Sequence, residues 1–204
     1  MIVTDLARLL IISNGQQTRE PILNVLKNLC TAGTPWILLR EDTLPLEQQR
    51  ELARQLMPHA GQTKISISDD VEFALQIGAH GIHVAADADL HHIRVAAPNL
   101  IMGVHCHSPA EVARAQTSNA DYVTLSPIFA TASKPGYGPA LGLETLRQTA
   151  QAHTIPILAL AGITLENMTD CLSAGAHGVA IMGDIMCADD PAKRMQDYLK
   201  PLGP

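Results

Sequence analysis

Residues able to grip anions or move protons recur along the chain, each directly after a short apolar run. Arg40 closes Trp36-Ile37-Leu38-Leu39. A guanidinium there would bind an anionic or aromatic ligand group, or pair with a neighbouring acid. Asp69 and Asp70 follow Lys64-Ile65-Ser66-Ile67-Ser68 and open an amphipathic stretch, where carboxylates in a first turn suit helix capping. His105 and His107 end another apolar run and share one face of it, with Cys106 turned the other way. His-x-His is half of a zinc site but lacks an evident third ligand. Acid–base chemistry at His105 fits better, and Cys106 reads as a buried thiol. The segment Thr131 to Gly138 offers two hydroxyls, Lys134 and two glycines, the makings of an anion-binding loop. Finally, the runs Ile155–Leu160 and Gly178–Met182 each pass into a small-residue turn, at Ala161-Gly162 and at Gly183-Asp184. Backbone N–H groups converging at such turns form a phosphate cup.

The elements that must carry these residues alternate. Apolar runs suited to buried strands (Leu9–Ile12, Trp36–Arg40, Lys64–Ser68, Gly81–Val84, Leu100–His105, Asp121–Ser126, Ile155–Leu160, Gly178–Met182) are separated by stretches with apolar residues at helical spacing. Those stretches predict helices near 20–32, 44–59, 69–78 and 89–97, one opening at 108, and others near 143–152, 164–175 and 185–199, the tail 201–204 being frayed. Ser108-Pro109 supplies an N-cap and first-turn proline. Two half-repeats match, QIGAHGIHV at 76–84 and SAGAHGVAI at 173–181. Strand–helix units repeating every 20–30 residues predict one α/β domain over 1–204, a (β/α)₈ TIM barrel, in which function gathers at the C-terminal ends of the strands. The turn 85–89, with Asp87 and Asp89, lies at one such end.

Hydrophobic residues make up 47% and aromatic ones 3% of the 204 residues, so the expected core is aliphatic. So few aromatics, with a formal charge of −6, argue against nucleic acid and against an anionic membrane surface. Four scattered cysteines predict a reduced protein, and with neither a leader pattern nor a long apolar run a cytoplasmic location is expected. Whether the chain forms a homo-oligomer is left open.

The segments DYVTLSPIFATASKPGYGPALGLE (121–144), IPILALAGIT (155–164) and GAHGVAIMGDI (175–185) resemble the thiamine-phosphate synthase/TenI family. ILLRED (37–42), SISDDVEFALQIGAHGIHV (66–84) and GVHCHS (103–108) are similar to its earlier motifs. The resemblance implies a (β/α)₈ barrel that acts on small phosphorylated substrates. A pyrimidine pyrophosphate is joined to thiazole phosphate and pyrophosphate is released. It also implies roles for residues. Arg40, Ser133 and Lys134 would hold the pyrophosphate, and Asp69 would bind Mg²⁺. Thr131 with the amides of Gly162 and Gly183 would hold the thiazole phosphate.

The chain departs from the family pattern at one end. Asp42 stands where the family has lysine, Ser68 where it has asparagine, Ala88 (between Asp87 and Asp89) where it has a second metal aspartate, and His105 where it has serine. Each charge-assisted hydrogen bond so removed would cost roughly 1.5–3 kcal/mol. Three expectations follow. The first is a synthase that draws on Asp69 with Asp87 or Asp89 for Mg²⁺, with Arg40, Ser68, His105, His107 and Lys134 at the reacting end. The second is a metal-free thiazole phosphate tautomerase, as in the TenI branch, using His105 or His107, since the branch's own histidine position is Pro127. The third is a binder that kept the phosphate cup without the chemistry. A phosphate-sugar isomerase barrel is a remote fourth, because no strand end outside the anion loop offers a catalytic Glu or Lys.

Overall fold

In a computed structural model, which describes residues 6–131 and 139–203, eight parallel strands close on themselves in chain order. They are β1 (Leu9–Ile12), β2 (Trp36–Leu39), β3 (Lys64–Ser68), β4 (Gly81–Ala85), β5 (Ile101–Cys106), β6 (Tyr122–Leu125), β7 (Ile157–Leu160) and β8 (Gly178–Ile181). Closure comes from β1 against β8, with Leu10 opposite Ala180. The expected (β/α)₈ barrel is therefore the fold. Around it run α1 (Ile22–Thr31), α2 (Leu46–Leu56), α3 (Val71–Gln76), α4 (Leu90–Ala96), α5 (Pro109–Thr117), α6 (Gly142–Ala152), α7 (Met168–Ser173), α8 (Gly183–Met186) and α9 (Pro191–Leu202).

Strand parity sorts the apolar residues into two clusters. Leu9, Ile11, Ile37, Leu39, Val104 and Val179 point outward and pack with Val25, Leu26 and Met195 from the helices. Leu10, Ile12, Trp36, Leu38, Tyr122, Leu158 and Ala180 fill the barrel itself. That interior is less aliphatic than the composition implies. Trp36 and Tyr122 are fully buried and meet edge to face with ring centroids 4.6 Å apart. Gly103 makes room for them, since a methyl group there would fall inside the Tyr122 ring. Both polar tips are satisfied. Trp36 Nε1 donates to Ser66 Oγ at 2.9 Å, and Tyr122 Oη lies 2.8 Å from His83 Nδ1.

Local chemistry shifts several boundaries from those the periodicity predicts. The stretch 185–199 is not one helix: Asp190 accepts from the Lys193 amide at 3.0 Å and Pro191 takes the first position, so α9 starts anew. At its end the chain is not frayed through 201–202. Leu202 is buried, and its carbonyl accepts from Arg8 Nη1. The α7 helix begins only at Met168, because Asn167 turns back to accept from the Thr164 amide at 2.8 Å. Of the acidic pair at 69–70, only Asp70 caps α3, accepting from Phe73 N while Arg50 Nε pairs with it at 2.8 Å. Asp69 is released for another task. Ser108 caps α5 as expected.

Candidate functional site

A cavity of about 400 Å³ opens at the C-terminal ends of the strands. Arg40, His105, Thr131, Gly162 and Gly183 all line it, so residues spread over more than 140 positions meet at one place. Ser133 and Lys134 lie outside the described residues. Ser68, Asp69 and Asp87 sit at the ends of β3 and β4 and do not line this cavity.

One side of the cavity is backbone. After β7 the chain takes two successive left-handed residues, Ala161 at φ +73° and Gly162 at φ +65°. Left-handed alanine is uncommon and strained, so this turn persists only because the surrounding structure holds it. Gly162 has no substitute there. A Cβ would lie 2.5 Å from the Ala130 carbonyl and 2.7 Å from Phe129 Cβ, because the segment after β6 folds back onto this turn. Phe129 N donates to Ala161 O at 3.2 Å, and Ile128 N to Leu160 O at 2.9 Å. This contact brings Thr131 to the cup. Asn167 Nδ2 donates to Gly162 O at 2.9 Å and braces the turn from below. The matching turn after β8 holds Gly183 and Asp184. Asp184 does not cap its own helix, which has no side-chain cap. Its carboxylate is drawn aside by Tyr198.

The opposite side is side chain. Arg40 lines the cavity but also pairs with Asp42 at 2.8 Å. On β5, across the barrel from β1, His105 Nε2 shares a hydrogen bond of 2.9 Å with Ser126 Oγ. His107 Nδ1 donates to the Ser126 carbonyl at 3.0 Å and lies 3.4 Å from its hydroxyl. The two imidazoles are 4.3 Å apart. His107 thus reaches the cavity through Ser126 rather than by lining it. Ser126, fully buried, lines the cavity from the end of its strand, one of the strand ends at which function is expected to gather. Below lies His83, whose ring nitrogens meet Tyr122 Oη and, at 3.3 Å, Thr124 Oγ1. Burial, helped by the positive field of Arg40, lowers the His83 pKa to about 3, so this floor is uncharged at neutral pH. Cys106 points outward into the apolar layer, and burial pushes its thiol up to about 12, so it is no nucleophile.

Asp69 is set apart by its backbone. At φ +58° it reverses away from α3. Its Oδ1 accepts from Ala85 N at 3.2 Å and its Oδ2 from Ser68 Oγ at 2.8 Å, which leaves lone pairs on both oxygens of an exposed carboxylate. Asp89 is committed to capping α4 through His92 N. Among the described residues no three His, Cys, Asp or Glu gather closely enough to hold a metal ion, so His105 and His107 find no third zinc ligand there.

Residues 9–185 match the family model described as thiamine monophosphate synthase. Curated relatives agree. The chain is 31% identical over 208 residues to a putative thiamine-phosphate synthase of Geobacter sulfurreducens, covering all of this chain and 98% of the relative. It is 35% identical over 187 residues to the thiamine-phosphate synthase of Geobacillus kaustophilus, covering 88% and 85%. Among solved structures, a thiamine phosphate pyrophosphorylase from Pyrococcus furiosus superposes with a TM-score of 0.83 at 25% identity, over 94% of this chain and 93% of that one.

Proposed function

The chain belongs to the thiamine monophosphate synthase family, and from that premise we propose how its own residues make thiamine phosphate from a pyrimidine diphosphate and thiazole phosphate. The observation that carries the proposal is the convergence of Arg40, His105, Thr131, Gly162 and Gly183 on one cavity. The Ala161-Gly162 and Gly183 turns, with the Thr131 hydroxyl, hold the thiazole monophosphate. Arg40, across the cavity, holds the diphosphate as the bond from the pyrimidine methylene to it breaks and the bond to the thiazole forms. Binding both substrates in one cleft replaces a bimolecular encounter with a positioned one. The His105–Ser126 pair lines the space between the two anions, where it orients the pyrimidine and holds a proton through Ser126 Oγ.

Mg²⁺ fits this arrangement in a limited way. It commonly takes one or two carboxylates, several waters and substrate phosphate oxygens. Asp69 and Asp87, exposed at the ends of β3 and β4 and outside the cavity lining, are the carboxylates that would hold it. When bound, the ion would neutralise charge on the leaving diphosphate. A cytoplasmic location belongs to this proposal too. Among the described residues, no helix is long and apolar enough to cross a membrane.

Incubation of the purified protein with both substrates and Mg²⁺, followed by pyrophosphate release, tests the reading. Stoichiometric pyrophosphate and thiamine phosphate are expected, and release no faster than an enzyme-free blank would overturn it. One observation favours a second reading, the thiazole tautomerase. His105, Ser126 and His107 form a hydrogen-bonded chain at the cavity, whereas Asp42 offsets the charge of Arg40. Under that reading, thiazole tautomer exchange proceeds without metal and is lost in His105→Ala.

A further inference from the structure

The phosphate cup is fastened from α9, which follows both of its turns. Tyr198, on α9, is fully buried. Its phenol donates to Asp184 Oδ2 at 2.6 Å and lies 3.4 Å from the Ile163 carbonyl. Ile163 belongs to the turn after β7 and Asp184 to the turn after β8, and both line the cavity. One hydroxyl therefore spans the two backbone turns. Arg194, one helical turn earlier on the same face of α9, places Nη1 3.7 Å from the same carboxylate oxygen. A carboxylate in the wall of an anion cup would repel the ligand. Here a phenol and a guanidinium hold it towards α9. Burial and the neighbouring carboxylate raise the Tyr198 pKa far above its ordinary value, so the phenol remains a donor throughout the working pH range.

We propose that Tyr198 and Arg194 are positioning residues for the monophosphate end of the site: they set the spacing of the two cup turns and keep the Asp184 carboxylate turned from the bound phosphate. This rests on the reading of the cup as the thiazole phosphate subsite. Two consequences separate it from a merely structural role for α9. Loss of the phenol acts on one substrate only. The reason for the phenol also disappears once the carboxylate is gone, so Tyr198→Phe and Asp184→Asn are coupled rather than additive.

The test is a steady-state comparison of wild type, Tyr198→Phe, Arg194→Gln, Asp184→Asn and the double variant Tyr198→Phe/Asp184→Asn, with thermal midpoints measured alongside. The expected result is a rise of about tenfold in KM for thiazole phosphate in Tyr198→Phe, the order expected for removal of a hydrogen bond to a charged group. KM for the pyrimidine diphosphate and kcat stay within about twofold. Arg194→Gln, altering a half-exposed side chain, gives about threefold in the same direction and serves if Tyr198→Phe folds poorly. The double variant recovers most of the affinity. A Tyr198→Phe or Arg194→Gln enzyme that is less stable but keeps both KM values overturns the inference, as does a double variant no better than Tyr198→Phe. Direct titration with thiazole phosphate distinguishes the two levels. A wild-type protein that does not bind it overturns the subsite reading itself, whereas binding equal in wild type and Tyr198→Phe overturns only the role of α9.

Discussion

The two ends of the cavity are built from different materials. The cup after β7 and β8 is backbone, bent by Ala161 and Gly162 at positive φ and braced by Asn167 and the returning segment at 128–130. The far end is side chain: Arg40 with Asp42 against it, and beyond it Asp69 held by Ala85 N and Ser68. A backbone cup depends on chain path, so it is sensitive at the few residues that set that path, Gly162 above all. A side-chain end changes with each substitution. Asp42 and His105 act at that end through their side chains, so one substitution changes what the site presents, whereas at the cup it is the chain path that must be kept. Under the proposed function, the monophosphate would be gripped by geometry and the diphosphate by charge.

The sharpest way to break this contrast is Gly162→Ala. The new methyl meets the Ala130 carbonyl at 2.5 Å in a backbone conformation that alanine adopts at a cost. Left-handed strain and overlap with fixed backbone together should cost about 3 kcal/mol of stability. The urea midpoint checks this, and KM for thiazole phosphate should rise far more than KM for the diphosphate. A Gly162→Ala enzyme with native stability and unchanged KM would mean that the cup is as adaptable as the side-chain end.

A second test uses the uncharged floor beneath the site. His83 takes up its proton near pH 3 when folded and near 6.5 when unfolded. Above about pH 6.5 neither state carries the proton, and the stability is fully present. As pH falls from 6.5 towards 3, the unfolded chain protonates and the native one does not, so stability is lost at about 1.4 kcal/mol per pH unit. Between pH 6.5 and 5 the His83 contribution should fall by about 2 kcal/mol, and His83→Gln should flatten that slope in urea titrations. An unchanged slope would show that the field of Arg40 and the burial of His83 do not set the charge of the floor.

Much of this is legible in the sequence for one physical reason, that side-chain periodicity reports which face is buried. Leu9–Ile12, Trp36–Leu39 and Gly178–Ile181 announce themselves as strands, and the strand ends point to Arg40, His105, Gly162 and Gly183. Contacts between distant segments do not announce themselves. Nothing local says that Tyr198 would reach Asp184, that Ser126 would join His105 to His107, or that the segment after β6 would lie on Gly162. The barrel-filling pair Trp36 and Tyr122 is hidden by an aromatic content of 3%, because composition counts residues and not their positions. The break between α8 and α9 is carried by Asp190-Pro191, a start signal that apolar spacing does not register.

The smallest expected effect bears most directly on the weaker end. Asp42 pairs with Arg40 at 2.8 Å and is itself well exposed, so the pair is screened and flexible. A diphosphate approaching Arg40 must displace a carboxylate of its own sign. Asp42→Lys removes that competitor and adds a cation. It leaves the backbone cup untouched. KM for the pyrimidine diphosphate should therefore fall by about tenfold, the order of one added charge-assisted hydrogen bond, with KM for thiazole phosphate unchanged. The gain should shrink as salt is raised, because exposed charges are screened over about 10 Å at 0.1 M ionic strength. If Asp42→Lys left the diphosphate KM unaltered at low salt, the departures at this end would not be a loss of charge. The His105–Ser126–His107 chain would then be the feature that distinguishes this site, and the tautomerase reading would gain over the synthase.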